Sequence, residues 1–168
     1  MPAAMRDAQL HSRRFQRVCA AARARIGNGA VGELYRAFGE RVWYDRSDAD
    51  VTTRFTDAVR RVDVVEVLAA LDLPADLADA ADDTSWDPVI VAESDEAFRR
   101  TGPDVGTPII SFDPPSGTSL FGPVISDVPA DDETALALHD ALRTLARYPG
   151  FSELKRSARP PLDLPLFR

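Results

Sequence analysis

The chain has 168 residues, 45% of them apolar and 28% charged, with a formal net charge of −7. That length suits one domain with a sizeable core, and the acidic balance argues against a nucleic-acid or anionic-membrane surface. No apolar run approaches the roughly 18–20 residues that span a bilayer, and Met1 to Asp7 lacks the apolar stretch of a signal peptide. A single cysteine, Cys19, allows no internal disulfide. Together these features lead us to expect a cytoplasmic protein. Lys155 is the only lysine, so the positive charge is almost all arginine. With the abundant Ala and Asp, this is the composition of a high-GC bacterial gene.

Phe15, Val18, Cys19, Ala22 and Ile26 recur at helical spacing, and Asn28-Gly29 is expected to stop that helix. Val31, Leu34, Tyr35, Phe38 and Val42 form the apolar stripe of a second helix, which Trp43 and Tyr44 end. Asp45 to Asp50 reads as a polar connection. Phe55, Val59, Val62, Val65, Leu68 and Leu71 continue with helical period as far as Leu73-Pro74, where a short helix is expected through Leu77. Trp86-Asp87-Pro88 reads as a further helix start, Asp87 as N-cap and Pro88 as first residue, running to Arg100 with Gly102 beyond its end.

Residues 108–112 and 118–125 are the two clear strands, joined by a hairpin loop at Pro114-Pro115-Ser116-Gly117. A last helix begins near Asp131, with Leu138, His139, Leu142 and Leu145 on its inner face, and ends at Pro149-Gly150. The Pro-rich stretch 159–168 reads as an extended or disordered tail. Ile109, Ile110 and Phe112 make the first strand apolar on both faces, the signature of a central strand with neighbours. A lone hairpin is marginal and leaves its edge open. Further strands are therefore expected, from another chain or from a longer polypeptide.

Several helices, a hairpin led by Thr107-Pro108, then a terminal helix: this order resembles the C-terminal four-fifths of a DsbA-like thioredoxin-fold protein. The chain most resembles the actinobacterial mycothiol-dependent nitroreductase family. The segments that carry the likeness are Leu73-Pro74-Ala75-Asp76-Leu77-Ala78, Asp104-Val105-Gly106-Thr107-Pro108, Phe121-Gly122-Pro123-Val124-Ile125-Ser126 and Tyr148-Pro149-Gly150-Phe151-Ser152-Glu153-Leu154-Lys155-Arg156. It extends from about residue 10 to residue 160. The resemblance implies an α/β fold, mostly α in this chain: a DsbA-like thioredoxin domain over residues 1–158, with a helical part at about 10–101 and the hairpin and last helix at about 105–148. Family members begin with a strand, a Cys-Pro-Trp-Cys helix start and a second strand. The expectation is an N-terminally truncated form that starts after all three.

The resemblance further implies thiol–disulfide or nitro reduction, with mycothiol as thiol co-substrate and no bound cofactor. Gly106, Thr107 and Pro108, with Phe121, Gly122 and Pro123, would form the substrate-binding surface, and the Thr107–Pro108 bond would be cis, the isomer that only an X-Pro bond tolerates. Without the redox pair the chain is expected to be inert, so no catalytic residue is assigned. The alternative is a truncated, non-catalytic paralogue that binds a partner, or a second copy, through the open sheet edge. A plain helical interaction domain is a third reading. Cys19 lies mid-helix on an apolar stripe, so it reads as a buried structural residue and not as a nucleophile. His11 and His139 have no metal-ligand company, and the acids near Asp82 and Asp131 read as solvated caps. Trp86 and Tyr148 could line a pocket beside the hairpin or simply pack. Where family members often carry histidines before the Thr-Pro loop, this chain has Ser94-Asp95-Glu96.

Overall fold

The computed structural model describes residues 3–44, 49–158 and 160. It contains six α-helices and one hairpin: α1 Ala3–Arg25, α2 Asn28–Trp43, α3 Val51–Arg61, α4 Val64–Ala70, α5 Asp87–Thr101, β1 Ile109–Ser111, β2 Ser119–Phe121 and α6 Asp132–Ala146. Two 3-10 segments, Ala75–Asp82 and Thr84–Trp86, lie between α4 and α5. The fold is thus mostly helical with a small antiparallel sheet, as a mostly-α form of a thioredoxin-like α/β fold requires. The described residues divide into two compact units, the first running to Val91 and the second beginning at Ala92.

In the first unit, the apolar stripes converge on one core. Val18 and Ala22 of α1, Leu34 of α2, and Val67 and Leu68 of α4 are fully buried there. Phe15 and Phe38 stack across it with ring centroids 4.6 Å apart. The arginines of α1 fix the segment that follows α4. Arg14 reaches Asp82 at 3.0 Å, and Arg25 reaches Asp76 at 2.7 Å. Arg17 donates to Asp87 at 2.7 and 2.9 Å and to the Ala81 carbonyl at 3.1 Å.

Several boundaries differ from the sequence reading, each for a local reason. The stop after α1 is Gly27, held at φ +123°, and Asn28-Gly29 opens α2 instead of ending α1. Tyr35 is not on the buried stripe; it is 79% exposed. The single period over Phe55–Leu71 is two helices. Asp63 accepts hydrogen bonds from the Val65 and Glu66 amides and so starts α4 afresh. That restart buries Val64 and Val67 and leaves Val65 exposed.

Asp87 is not a cap. It is helical, and its carboxylate is taken by Arg17. Asp83 caps the preceding turn through the Ser85 amide at 2.9 Å. At the other end of α5, the Gly102 amide closes on the Phe98 carbonyl at 2.7 Å.

In the second unit, β1 and β2 pair antiparallel, with Ile109 opposite Phe121, Ile110 opposite Leu120 and Ser111 opposite Ser119. The second strand is shorter than the stretch to residue 125 read from sequence. Gly122 adopts φ +100°, and Pro123 has no N–H to continue the ladder. The loop is tight at Gly117, where a Cβ would lie 1.7 Å from the Phe112 carbonyl oxygen. On α6, Asp131 caps the Thr134 amide at 2.7 Å. Its expected inner face is only partly covered: Ala146 is buried and Leu142 and Leu145 half-buried, while Leu138 and His139 are exposed. Among the described residues, no sheet layer covers the start of this helix. The Pro-rich tail falls outside the described residues except for Pro160, whose carbonyl accepts from Ser126 at 3.1 Å.

Candidate functional site

The six residues singled out from sequence meet at the open end of the hairpin, opposite its loop. Because Ile109 pairs with Phe121, the residues just before β1 and just after β2 are neighbours. The Gly122 amide donates to the Pro108 carbonyl at 2.8 Å, extending the ladder by one step. Gly106 sits under the Phe121 ring, whose edge would lie 3.7 Å from a Cβ placed there. Gly122 is buried, Pro123 half-buried, and Gly106, Thr107 and Pro108 are exposed. The Thr107–Pro108 and Gly122–Pro123 bonds are both cis, as is Pro114–Pro115 in the loop.

Thr107 therefore projects its backbone from an exposed turn beside an aromatic ring that is 42% exposed. It makes no hydrogen bond to another described residue. An extended ligand could take those free backbone groups while resting against Phe121. Such edge pairing is the simplest way for a strand end to hold a peptide-like or planar molecule.

The other end of the hairpin carries a contact that the sequence reading missed. Asp113, at φ +51°, accepts from Arg143 at 3.1 Å and from Arg147 at 3.2 Å. The guanidinium of Arg147, then that of Arg143, holds this carboxyl below its ordinary range. The signal was present in sequence: arginines at i and i+4, Arg143 in the last turn of α6 and Arg147 as its C-cap, and an acid just before Pro114-Pro115. Ser111 and Ser119 add a hydroxyl pair at 2.7 Å across the strands. The arginine contacts tie the hairpin loop to the end of α6, and the hydroxyl pair ties β1 to β2.

No nucleophile stands among these residues. Cys19 lies mid-α1 in the first unit, packed against the core, and burial pushes its thiol up to about 11. At neutral pH it is a thiol and not a thiolate. Glu96, where an acid–base group could have stood, is fixed as an anion: Arg99 and then Arg100 lower its pKa to about 2. His139 is exposed, 3.3 Å from Asp140, its ring 6.0 Å from that of Phe112. No three His, Cys, Asp or Glu side chains among the described residues are placed to hold a metal ion. Of the two aromatic residues considered as pocket lining, Trp86 packs against the core of the first unit, and Tyr148 in the second covers Gly150 while staying 69% exposed.

The Rv2466c-like family model, described as mycothiol-dependent nitroreductase Rv2466c, matches residues 1–156. The chain belongs to this family. The match includes all six residues at the open end of the hairpin, together with α5 and α6. No helix among the described residues is long and apolar enough to cross a membrane.

Proposed function

We propose that this chain is the substrate-presenting part of a DsbA-like, mycothiol-using oxidoreductase, with the redox thiol pair supplied from outside these 168 residues. In the complete enzyme, a thiol pair would give two electrons and two protons to a disulfide, or to a nitro group that leaves as nitroso compound and water. Two mycothiols would then return the oxidised pair to dithiol, the first forming a mixed disulfide and the second resolving it, and both would leave as mycothiol disulfide. Here Gly106, Thr107 and Pro108 would present backbone groups to the substrate, Phe121 a face for it to rest on, and Gly122-Pro123 the turn that holds Phe121 in place.

The observation that carries this reading is the joining of the two loops by the Gly122–Pro108 hydrogen bond beneath an exposed Thr107. On its own the chain should be inert, because its one thiol is buried and protonated. The short sheet supports the rest of the proposal: a two-stranded hairpin of three residues per strand, with a half-exposed helix beside it, is incomplete as a layer.

A strand–Cys-Pro-Trp-Cys–strand segment, joined upstream of residue 1, is the test. It should restore mycothiol-dependent nitro reduction and slow amide exchange along β1 and β2. Restored protection without turnover would leave the hairpin as a binding edge only. That is the second reading, a non-catalytic paralogue that pairs with a partner strand, and it is favoured by the same open edge. No gain in either would contradict both.

A further inference from the structure

The first unit contains a cleft that the hairpin chemistry does not use. Its volume is about 480 Å³, and it opens between the C-terminal half of α1 and the 3-10 segment that follows α4. Ala21, Leu77 and Ala80 are buried and give it an apolar floor. The Trp86 indole, half-buried, forms part of the lining. The cleft is wide open to solvent, and its apolar floor beside an aromatic ring gives a fragment-sized molecule a surface to rest on.

The charged groups decide the ligand class. Arg25 and Asp76 also line the cleft, but both Asp76 oxygens lie 2.7 Å from Arg25 Nη1, so this pair is internally neutral. Asp79 and Asp83 remain, both exposed, giving the cleft a net negative charge. Asp83 accepts from the Ser85 amide at 2.9 Å and from the Ser85 hydroxyl, contacts that hold its carboxyl below the usual range and keep it anionic. Anions are therefore disfavoured. A metal ion is a poor occupant as well, since these carboxylates do not converge on a metal-sized point. Spread carboxylates beside an indole suit a larger, delocalised charge, because an aromatic face attracts a cation most when that cation is weakly hydrated.

We propose that this cleft binds a small organic cation, an amidinium or ammonium on a flat or apolar frame, between the Trp86 indole and the carboxylates of Asp79 and Asp83. Benzamidine is the probe, and its uncharged isostere benzamide the control. In the full chain carrying Trp43→Phe, Trp86 is the only indole, so its fluorescence reports the cleft alone. Benzamidine should change that fluorescence saturably, with half-effect in the low-millimolar range (about 1–5 mM), as expected for a fragment of this size. The double variant Asp79→Asn, Asp83→Asn removes both charges, while Asn at 83 can still cap the Ser85 amide. Binding to it should be about tenfold weaker, and benzamide should bind the parent chain about tenfold more weakly too. Equal binding of benzamidine and benzamide would overturn the proposal without any appeal to the variant's folding. So would the absence of a saturable change up to about 20 mM, an affinity too weak to count as a site.

Discussion

At the scale of single residues, the chemistry of this chain turns on Cys19. Burial raises its folded pKa from 9.0 to about 11. A raised folded value favours the fold below the unfolded pKa, and the benefit fades as pH climbs from about 9 through 11. In the folded chain at pH 8, Cys19 should therefore resist an aromatic disulfide reagent, and react stoichiometrically once denaturant is added. A native thiol titrating below pH 9 would contradict this. The core makes a second residue-scale prediction. Leu68 is fully buried, so Leu68→Ala should cost about 2–5 kcal/mol, read from denaturant midpoints at unchanged slope. Gly117→Ala has no room at all, with its Cβ 1.7 Å from a backbone oxygen, and should destroy the hairpin loop.

Between elements, charge placement sets what holds. Glu96 has its pKa lowered from 4.5 to about 2 by Arg99 and Arg100, which anchor the last turns of α5. Because the folded value is depressed, this support is complete above about pH 4.5 and lost as pH falls through 2. Amides in the last turn of α5 should lose protection over that window, and Glu96→Gln should remove the pH dependence. A window unchanged in the variant would contradict this assignment.

The same elements show what could be read from sequence. The helical period found Leu34, Phe38 and Val42 of α2, because burial of one stripe is what makes that helix form. It could not see the break before α4, since the apolar spacing runs through it and only the cap at Asp63 interrupts it. On α6 the pattern held for Leu142 and Leu145, which are half-buried, and failed for Leu138 and His139, which are exposed, because a pattern says which face favours burial and not whether a layer covers it. The six residues at the hairpin end were legible as family segments. Their meeting was not, because Pro108 and Gly122 touch only once the loop has fixed the register of Ile109 with Phe121.

For the molecule as a whole, the two units differ in what stabilises them. The first has a continuous apolar core drawn from four helices, whereas the second buries little beyond Phe112, Ser119, Gly122 and Ala146. Stability follows burial, so amide exchange should show the second unit opening at lower free energy than the first. Slowest exchange is expected around Val18, Leu34 and Leu68. Equal protection in the two units would mean that the hairpin is already a finished structure and needs no further strands. On the proposed reading, this chain presents substrate without carrying the thiols that reduce it. The decisive experiment is turnover of a nitro compound by the 168-residue chain with mycothiol as the sole reductant. The expected rate equals that of mycothiol alone. A rate well above it, abolished by Cys19→Ser, would show that the chain carries its own redox thiol.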